Sequence, residues 1–167
     1  VTMAKTKDIL SPEFKSANSK VYLIKPCYDE NNLPKTDCLI KIFDRIATLN
    51  KEGKIKACYT PTYGGVAEAI YKMAIGNGFG FKFEDVSLDE IFGYNYASFV
   101  LESTEEIEGA YLLGTVTDDN KFVCDAESVC LCSLLSEYEN KLESVYSCNI
   151  EQKGIGIKTY SYEASER

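Results

Sequence analysis

Two amphipathic helical patterns, each placed between runs rich in β-branched and aromatic residues, constrain the fold of this chain most strongly. Residues 20–25 are apolar on both faces, which is typical of a buried strand. A helical stripe follows, formed by Leu39, Ile42, Phe43, Ile46 and Leu49. A short strand at residues 55–59 and a second helical stripe over residues 66–74 come next. This alternation within 167 residues predicts one domain that combines helices with a sheet.

The remaining pattern extends the same architecture. Residues 79–83, 97–101 and 111–117 are predicted as strands, and residues 88–92 as a helical turn. Asp118-Asp119-Asn120 is predicted to turn the last of these strands back into residues 121–124 as a hairpin, and residues 126–146 to form the longest helix. We therefore expect an α+β fold with three α/β/α layers and a mixed sheet of about five strands. Residues 1–148 form the predicted domain, and residues 149–167 a linker or tail.

Charge and composition exclude several classes of function. Eighteen basic and 26 acidic side chains give a net charge of −8, whereas nucleic acids and anionic membranes require a basic face. The chain contains no His, so it can build neither a Ser-His-Asp triad nor a His-ligated metal site alone. A phosphorylated ligand stays possible, because backbone N–H groups can hold it.

The seven cysteines and the absence of an apolar leader predict a cytoplasmic protein. Their spacing is irregular and contains no CxxC, so we expect free thiols in a reducing compartment and no zinc site. Cys130 and Cys132 are expected to diverge, because both fall within the long helical pattern. The alternative is that Cys58 or Cys27 is a reactive thiol. No run of 18 apolar residues occurs.

The segment 57–70 is the candidate site. It leads from a strand through a polar loop into Gly64-Gly65 and then a helix. Glycines let a backbone approach a ligand closely, and a helix start offers unpaired N–H groups, here those of Gly65 and Val66, to an anion. Thr60 and Thr62 add hydroxyl groups. The alternative is that the two glycines only permit a tight turn with close helix–sheet packing. No catalytic or metal-binding residue is assigned, and Asp85, Asp89 and Glu90 are interpreted as a solvated helix entry.

Residues 59–81, YTPTYGGVAEAIYKMAIGNGFGF, resemble the "HDxSxGGL…A…EMA…GxxG" segment of the formylglycinamidine ribonucleotide (FGAM) synthase family. Residues 9–14 and 113–116 add weaker matches to the same family. The superfamily includes aminoimidazole ribonucleotide (AIR) synthetase and selenophosphate synthetase. The resemblance spans roughly residues 7–146 and implies the C-terminal lobe of this fold (PurM C-terminal domain-like, partly ferredoxin-like). Tyr59-Thr60 replaces the family's His-Asp and Thr62 its Ser, which resembles the second, structural copy of the large-type enzyme.

The resemblance also implies an activity. FGAM synthases use ATP and Mg²⁺ to activate the amide of formylglycinamide ribonucleotide (FGAR), and ammonia from a glutaminase unit then displaces phosphate to give the amidine used in purine biosynthesis. This chain would be a fragment of such a ligase that requires no cofactor itself and is inactive alone. It would supply a phosphate- or nucleotide-binding loop formed by Thr60, Thr62, Gly64, Gly65 and Val66.

The expected partners are the N-terminal lobes and glutaminase of the same enzyme and a phosphorylated small molecule, with no nucleic acid and no membrane. A homodimer of the fragment is possible through an exposed surface rich in Tyr and Phe. Two alternatives remain open. The chain could be a stand-alone α+β regulatory or interaction module, or another member of the AIR synthase superfamily.

Overall fold

A seven-stranded mixed sheet forms the centre of the fold, and helices cover both of its faces. The computed structural model describes residues 3–147 and 160–161. The strands are β1 (Lys20–Ile24), β2 (Ala57–Tyr59), β3 (Gly80–Phe83), β4 (Phe99–Ser103), β5 (Tyr111–Thr117), β6 (Lys121–Cys124) and β7 (Glu127–Cys130). The helices are α1 (Thr36–Lys51), α2 (Gly65–Ile75), α3 (Leu88–Ile91) and α4 (Leu131–Asn140), with a 3₁₀ turn at Thr6–Asp8.

Strand β1 lies in the middle of the sheet, whose order is β2-β4-β1-β5-β3-β6-β7. It pairs antiparallel with β4 on one side and β5 on the other. Only Lys20 of this strand is exposed, as its apolar pattern on both faces predicts. The pairing of β3 with β6 is parallel, so the sheet is mixed.

Two hydrophobic clusters, one on each face of the sheet, make the three layers. Ile70 and Met73 of α2 are fully buried against the face that carries Leu23 and Val100. Ile42 of α1 packs on the opposite face, in a cluster that holds Tyr22, Ile24, Ile55, Leu101 and Ile107. The predicted α+β class, mixed sheet and α/β/α layering are therefore confirmed, with seven strands in place of about five.

A buried carboxylate attaches the segment before β1 to the sheet. Glu102 on β4 is fully buried and accepts hydrogen bonds from the backbone N–H groups of Lys15 (2.8 Å) and Ser16 (3.2 Å). A buried polar group costs stability unless such donors replace the water that it loses. This contact lies 86 and 87 residues apart in the chain, so no local pattern announces it.

The predicted hairpin between residues 111–117 and 121–124 is wrong. The turn at Asp118–Asn120 does reverse the chain, with Thr117 Oγ1 donating to Asp119 Oδ1 (2.7 Å). However, β3 is inserted between β5 and β6, pairing antiparallel with the former and parallel with the latter. The hairpin pattern relates only strands that are adjacent in sequence. Here β5 and β6 each pair with β3 instead of with one another.

The helix predicted over residues 126–146 is also shorter than expected. Residues 127–130 form β7, which pairs antiparallel with β6, and helix α4 ends at Asn140. Asp125 adopts a left-handed φ of 52° in the tight turn between the two strands. Pairing with β6 satisfies the backbone hydrogen-bonding groups of residues 127–130, so the helix begins only after them.

The ends of the predicted domain lie partly outside the described residues. Of the predicted tail, residues 149–167, the structure describes only Tyr160 and Ser161, so the boundary at residue 148 stays a prediction. Within the described residues, no helix combines the length and apolarity needed to cross a membrane.

The expectation that all cysteines are free thiols is wrong for two of them. Cys27 and Cys38 form a disulfide with a Cα–Cα distance of 5.8 Å. The loop after β1 folds back beside the first turn of α1, which brings the two residues within the range of a disulfide. Cys58, Cys124, Cys130 and Cys132 are free, and Cys148 lies outside the described residues.

We expect thiol titration of the denatured protein, purified without reductant, to find two thiols fewer than after reduction. The double variant Cys27→Ser/Cys38→Ser should unfold with a free energy lower by about 2–3 kcal/mol, since the bridge closes a short loop in the unfolded chain. Urea denaturation measures this difference, and Cys132→Ser serves as the control that leaves the bridge intact. Equal thiol counts before and after reduction would contradict the disulfide.

Candidate functional site

The loop between β2 and α2 lies where the sequence predicts a site, directly after a strand and at the start of a helix. Helix α2 begins at Gly65, and its N-cap is Gly64. The loop packs against the turn that follows α3, and a Cβ atom built on Gly65 would lie 2.6 Å from the carbonyl oxygen of Ile91 and 2.9 Å from that of Gly93. The predicted strand–Gly-Gly–helix arrangement is therefore confirmed.

Gly65 is required by backbone geometry. Its φ is +65°, a left-handed conformation that costs most other residues 1–2 kcal/mol or so. Its contact with the backbone of residues 91–93 also leaves no space for a side chain. These observations favour the alternative offered by the sequence, a tight turn with close packing, as the role of this glycine.

The carboxylate of Glu68 occupies the position that an anion would take at the loop. Its Oε2 atom accepts hydrogen bonds from the Thr62 hydroxyl (2.6 Å) and from the backbone N–H of Gly64 (2.8 Å). Its Oε1 atom accepts one from Lys72. The Lys72 ammonium, the Thr62 hydroxyl and the Gly64 N–H together lower the pKa of Glu68 to about 2.

The structure brings the predicted residues together but gives them different tasks. Thr62 and Gly64 bind Glu68, as just described. The N–H of Gly65 donates to the carbonyl of Thr62 (3.0 Å), so the prediction of a free N–H is wrong there. The N–H of Val66 has no acceptor among the described residues. Thr60 is exposed, and its hydroxyl makes no hydrogen bond within the described part of the chain.

Two cavities flank the first turn of α2. The first, which we call the Lys25 cavity, has a volume of about 390 Å³. Its lining includes Leu23, Ile24, Lys25, Ile42, Arg45, Val66, Val86, Glu90, Ile91, Gly109, Tyr111 and Leu113. Arg45 donates to the carbonyl oxygens of Glu108 and Gly109. Two cationic side chains and one carboxylate give this cavity a net positive charge.

The second, which we call the Tyr71 cavity, has a volume of about 420 Å³. It lies between α2, α3, α4 and the β3, β6 and β7 strands. Its lining is Gly64, Ala67, Glu68, Tyr71, Phe83, Leu88, Ile91, Phe92, Phe122, Cys124, Glu127, Ser128, Val129 and Leu134. The charged side chains on its walls are both acidic.

Three of the residues that matter here escaped sequence reasoning in part or whole. No sequence signal points to the bonds of Glu68 with the loop, because its spacing from Thr62 matches no capping box. Lys25 directly follows β1, and Arg45 lies on α1. Nothing in the sequence signals that these two elements meet beside Val66. The interpretation of residues 85–90 as a helix entry agrees with the capping box between Ser87 and Glu90.

Neither Cys58 nor Cys27 fits the alternative prediction of a reactive thiol. Burial raises the pKa of Cys58 to about 11, and Cys27 is in the disulfide. The expectation that Cys130 and Cys132 diverge is wrong, because Cys130 ends β7 and so precedes the helix. The backbone N–H of Cys132 lowers the pKa of Cys130, and the Cys132 thiol lowers it further.

The residues described here do not fit a metal site. Within residues 3–147 and 160–161, no group of three or more His, Cys, Asp or Glu side chains could hold a metal ion. The nearest carboxylate to the loop, Glu68, is already bonded to two donors of the loop and to Lys72. We therefore assign no step to a metal on this chain.

Comparison with known proteins identifies the fold. No protein-family model matches the sequence, and no curated protein matches it either. Among solved structures, Thermotoga maritima PurL complexed with ATP has a TM-score of 0.62 at 9% identity, with coverage of 98% of this chain and 32% of that one. The Thermotoga maritima PurLQS structure gives 0.67 at 7% identity, with the same coverage.

A hydrogenase maturation protein shares the same architecture. Escherichia coli HypE has a TM-score of 0.54 at 14% identity, and the match covers 72% of this chain and 51% of that one. The fold is therefore the AIR synthase-like α+β fold found in PurL and HypE. This chain spans about a third of the length of the PurL chains that it matches.

We expect Gly65→Ala to lower the free energy of unfolding by about 3 kcal/mol, from backbone strain together with the clash against residues 91–93. Gly53→Ala is the matched control, because Gly53 has a similar φ of +71° but open space around it. The control should lose only about 1 kcal/mol. Urea denaturation of both variants measures the difference, and equal losses would contradict the close contact.

The low pKa of Glu68 predicts how stability depends on pH. Because the folded-state pKa lies near 2 and the ordinary value is 4.5, the contribution of Glu68 is fully present above about pH 4.5 and is lost as the pH falls towards 2. Glu68→Gln should therefore show a flatter decline of unfolding free energy between pH 5 and pH 2 than the parent chain. Glu137→Gln, on the exposed side of α4, is the control that should leave the decline unchanged.

Proposed function

We propose that this chain is a lobe of an ATP- and glutamine-dependent ligase of the FGAM synthase type, which converts FGAR to the amidine in purine biosynthesis. The observation that carries the proposal is the extent of the fold similarity. It covers 98% of this chain in PurL structures, one of them complexed with ATP and another with FGAR at 97%. The resemblance of residues 59–81 to the FGAM synthase segment supports the same assignment.

In this proposal a phosphate group binds in the Lys25 cavity. Lys25 and Arg45 supply positive charge there, and Val66 at the start of α2 has a backbone N–H without an acceptor among the described residues. Thr60, Thr62, Gly64 and Gly65 form the loop that holds α2 in place. Phosphate does not displace Glu68, because three donors already stabilise that carboxylate. The nucleotide of the full enzyme is then the source of the phosphate.

The aromatic side chains around the loop form the proposed interface with another lobe of the same enzyme. Tyr63 is fully exposed, and Phe92, Tyr94 and Tyr96 are more than half exposed on the segment that follows α3. Gly65 contacts the backbone of that segment, so the four rings belong to one end of the molecule. Interdomain contacts bury such surfaces, and a free lobe would instead use them for self-association.

Two further parts of the proposal concern cofactors and compartment. Mg²⁺ belongs to the complete enzyme, and the described residues of this chain contain no group of ligands for it. We place the enzyme in the cytoplasm, because Cys58, Cys124, Cys130 and Cys132 are free thiols. The Cys27–Cys38 disulfide is the feature that opposes this compartment, because reducing conditions disfavour it.

A second candidate function is that of another AIR synthase-like enzyme. The similarity to HypE supports it, since HypE shares the fold at a TM-score of 0.54. That similarity covers 72% of this chain, against 98% for PurL, and we therefore favour the FGAM synthase type. A stand-alone interaction module would need neither cationic cavity nor exposed loop of this kind.

Lys25→Ala should weaken the affinity of the chain for ATP by about fivefold, which corresponds to about 1 kcal/mol for an exposed charged contact. Isothermal titration calorimetry measures the change. Lys20→Ala is the matched control, because Lys20 is exposed at the other end of the same strand. Equal effects of the two substitutions would show a nonspecific charge effect and contradict the assignment.

Glu68→Gln separates the two possible phosphate positions. If phosphate occupied the loop at Thr62 and Gly64, removing the competing carboxylate would strengthen ATP binding. We expect no strengthening, because the Lys25 cavity lies on the other side of the first turn of α2.

The ligase assignment is tested by product formation. FGAR, ATP, Mg²⁺ and ammonia are incubated with this chain alone and with the product of the complete gene that encodes it. We expect the amidine only from the complete product, since the chain has no His to act as a base. A complete product that binds ATP but forms no amidine would contradict the FGAM synthase assignment and favour the second candidate.

A further inference from the structure

The Cys27–Cys38 disulfide joins the two chain segments that form one wall of the Lys25 cavity. Cys27 follows Lys25 by two residues, and Cys38 lies in the first turn of α1. Ile42 and Arg45, the residues of α1 that line the cavity, come four and seven residues after Cys38. This spacing puts the three side chains on one face of the helix. The bridge therefore attaches the cavity-lining face of α1 to the end of β1.

Other contacts hold the second half of α1 rather than its first turn. Among the sixteen residues of this helix, all of them described, only Ile42 is buried. Ile46 and Leu49 pack half-buried against the same cluster, and Arg45 and Asn50 donate to backbone carbonyl groups. The N-cap residue makes no capping hydrogen bond with its side chain. Because an uncapped helix end frays readily, the covalent bridge is what fixes the first turn.

The bridge is accessible to a thiol in solution. Cys27 is exposed and Cys38 is half-buried, so a small thiol can reach the sulfur atom of Cys27. Exposed disulfides are generally the exchangeable ones, whereas structural disulfides resist reduction by glutathione. The position of this bridge therefore suits reversible reduction of the folded protein.

Backbone hydrogen bonds keep the two cysteines close together without the bridge. The N–H of Lys35 donates to the carbonyl oxygen of Cys27 (2.8 Å), and that of Asp29 donates to the carbonyl oxygen of Leu33 (2.9 Å). Neither bond involves a sulfur atom, so neither depends on the bridge. The loop between β1 and α1 therefore keeps the reduced thiols near each other, and the disulfide can form again.

We propose that Cys27 and Cys38 form a reversible redox switch, which fixes the first turn of α1 when oxidised and releases it when reduced. Because α1 supplies Arg45 to the wall of the Lys25 cavity, reduction also weakens phosphate binding there. This second part rests on the proposed function. The switch accounts for a disulfide in a chain whose other described cysteines are free, since the pair opens in a reducing compartment and closes on oxidation.

The chemical step is thiol–disulfide exchange with a low-molecular-weight thiol, for which glutathione is the probe. A glutathione thiolate attacks the sulfur of Cys27, the S–S bond breaks, and Cys38 leaves as a thiolate that takes up the proton released by glutathione. A second glutathione thiolate attacks the mixed disulfide and releases Cys27, which is protonated in the same way. Two electrons thus pass from two glutathione molecules to the bridge, and oxidised glutathione drives the reverse reaction.

Reversibility is tested on the folded 167-residue chain in mixtures of reduced and oxidised glutathione. Free thiols are alkylated, and the peptides that contain Cys27 and Cys38 are quantified by mass spectrometry. We expect both thiols to appear with reduced glutathione and to disappear again with oxidised glutathione, without denaturant. A bridge that opens only when the chain is unfolded in urea would overturn the proposal.

Hydrogen exchange of the oxidised and the reduced chain measures the release of α1 without any ligand. Loss of the bridge lowers the stability of the whole fold, so residues 69–74 of α2 serve as the internal reference. We expect reduction to accelerate exchange of the amides of residues 39–42 by about tenfold more than that of the reference, because the first turn opens locally. Equal acceleration in the two helices would overturn the switch.

Two variants control this measurement. Cys27→Ser/Cys38→Ser cannot form the bridge and should show the fast exchange of residues 39–42 at every glutathione ratio. Cys132→Ser removes an exposed free thiol and should respond as the parent chain does. A response to glutathione that persists in the double variant would assign the effect to another cysteine and overturn the proposal.

The coupling to the Lys25 cavity is tested by titrating ATP into both redox forms by calorimetry. Reduction should weaken the affinity about threefold, less than Lys25→Ala does, because Arg45 moves with α1 but stays on the chain. Equal affinities, with ATP bound in both forms, would overturn the coupling and leave the phosphate position standing. Absence of ATP binding in both forms would contradict the phosphate position and the coupling together, whereas the exchange response would still support the release of α1.

Discussion

The contact between Gly65 and the backbone of residues 91–93 positions everything else at the candidate site. A side chain at Gly65 would collide with two carbonyl oxygens, so the start of α2 can approach the turn after α3 only without one. This approach fixes the loop from Thr60 to Gly64 and places the exposed rings of Tyr63 and Phe92 at one end of the molecule. It also puts α2 between two cavities, since residues of its first turns line both.

Charge then divides the two sides of α2. Glu68 neutralises the donors of the loop from within the chain, and its carboxylate contributes to the wall of the Tyr71 cavity. Lys25 and Arg45 reach the other side from β1's end and from α1. The N-terminal end of a helix attracts anions in general. On one side of α2 the carboxylate of Glu68 binds there, and on the other side the nearby charges are those of Lys25 and Arg45.

Patterns that depend on a single element were predicted well, and patterns that depend on pairing were not. The buried strand β1 and the stripes of α1 and α2 follow from apolar spacing alone, and the structure has them where expected. The predicted hairpin after Thr117 was wrong because β3, which comes well before β5 in the chain, takes the place beside β5. The prediction of a free thiol at Cys27 was wrong for the same reason, since its disulfide partner Cys38 lies on another element.

The sequence by itself determined the α+β class, the strand–Gly-Gly–helix segment and its acidic, His-free chemistry, because propensity and periodicity act within a few residues. Only the tertiary structure decided that Glu68 binds the loop, that Lys25 and Arg45 meet beside Val66, and that the Tyr71 hydroxyl is buried without a partner. Those features depend on distances between elements. Such distances are set by packing of the two hydrophobic clusters across the sheet, which no local pattern encodes.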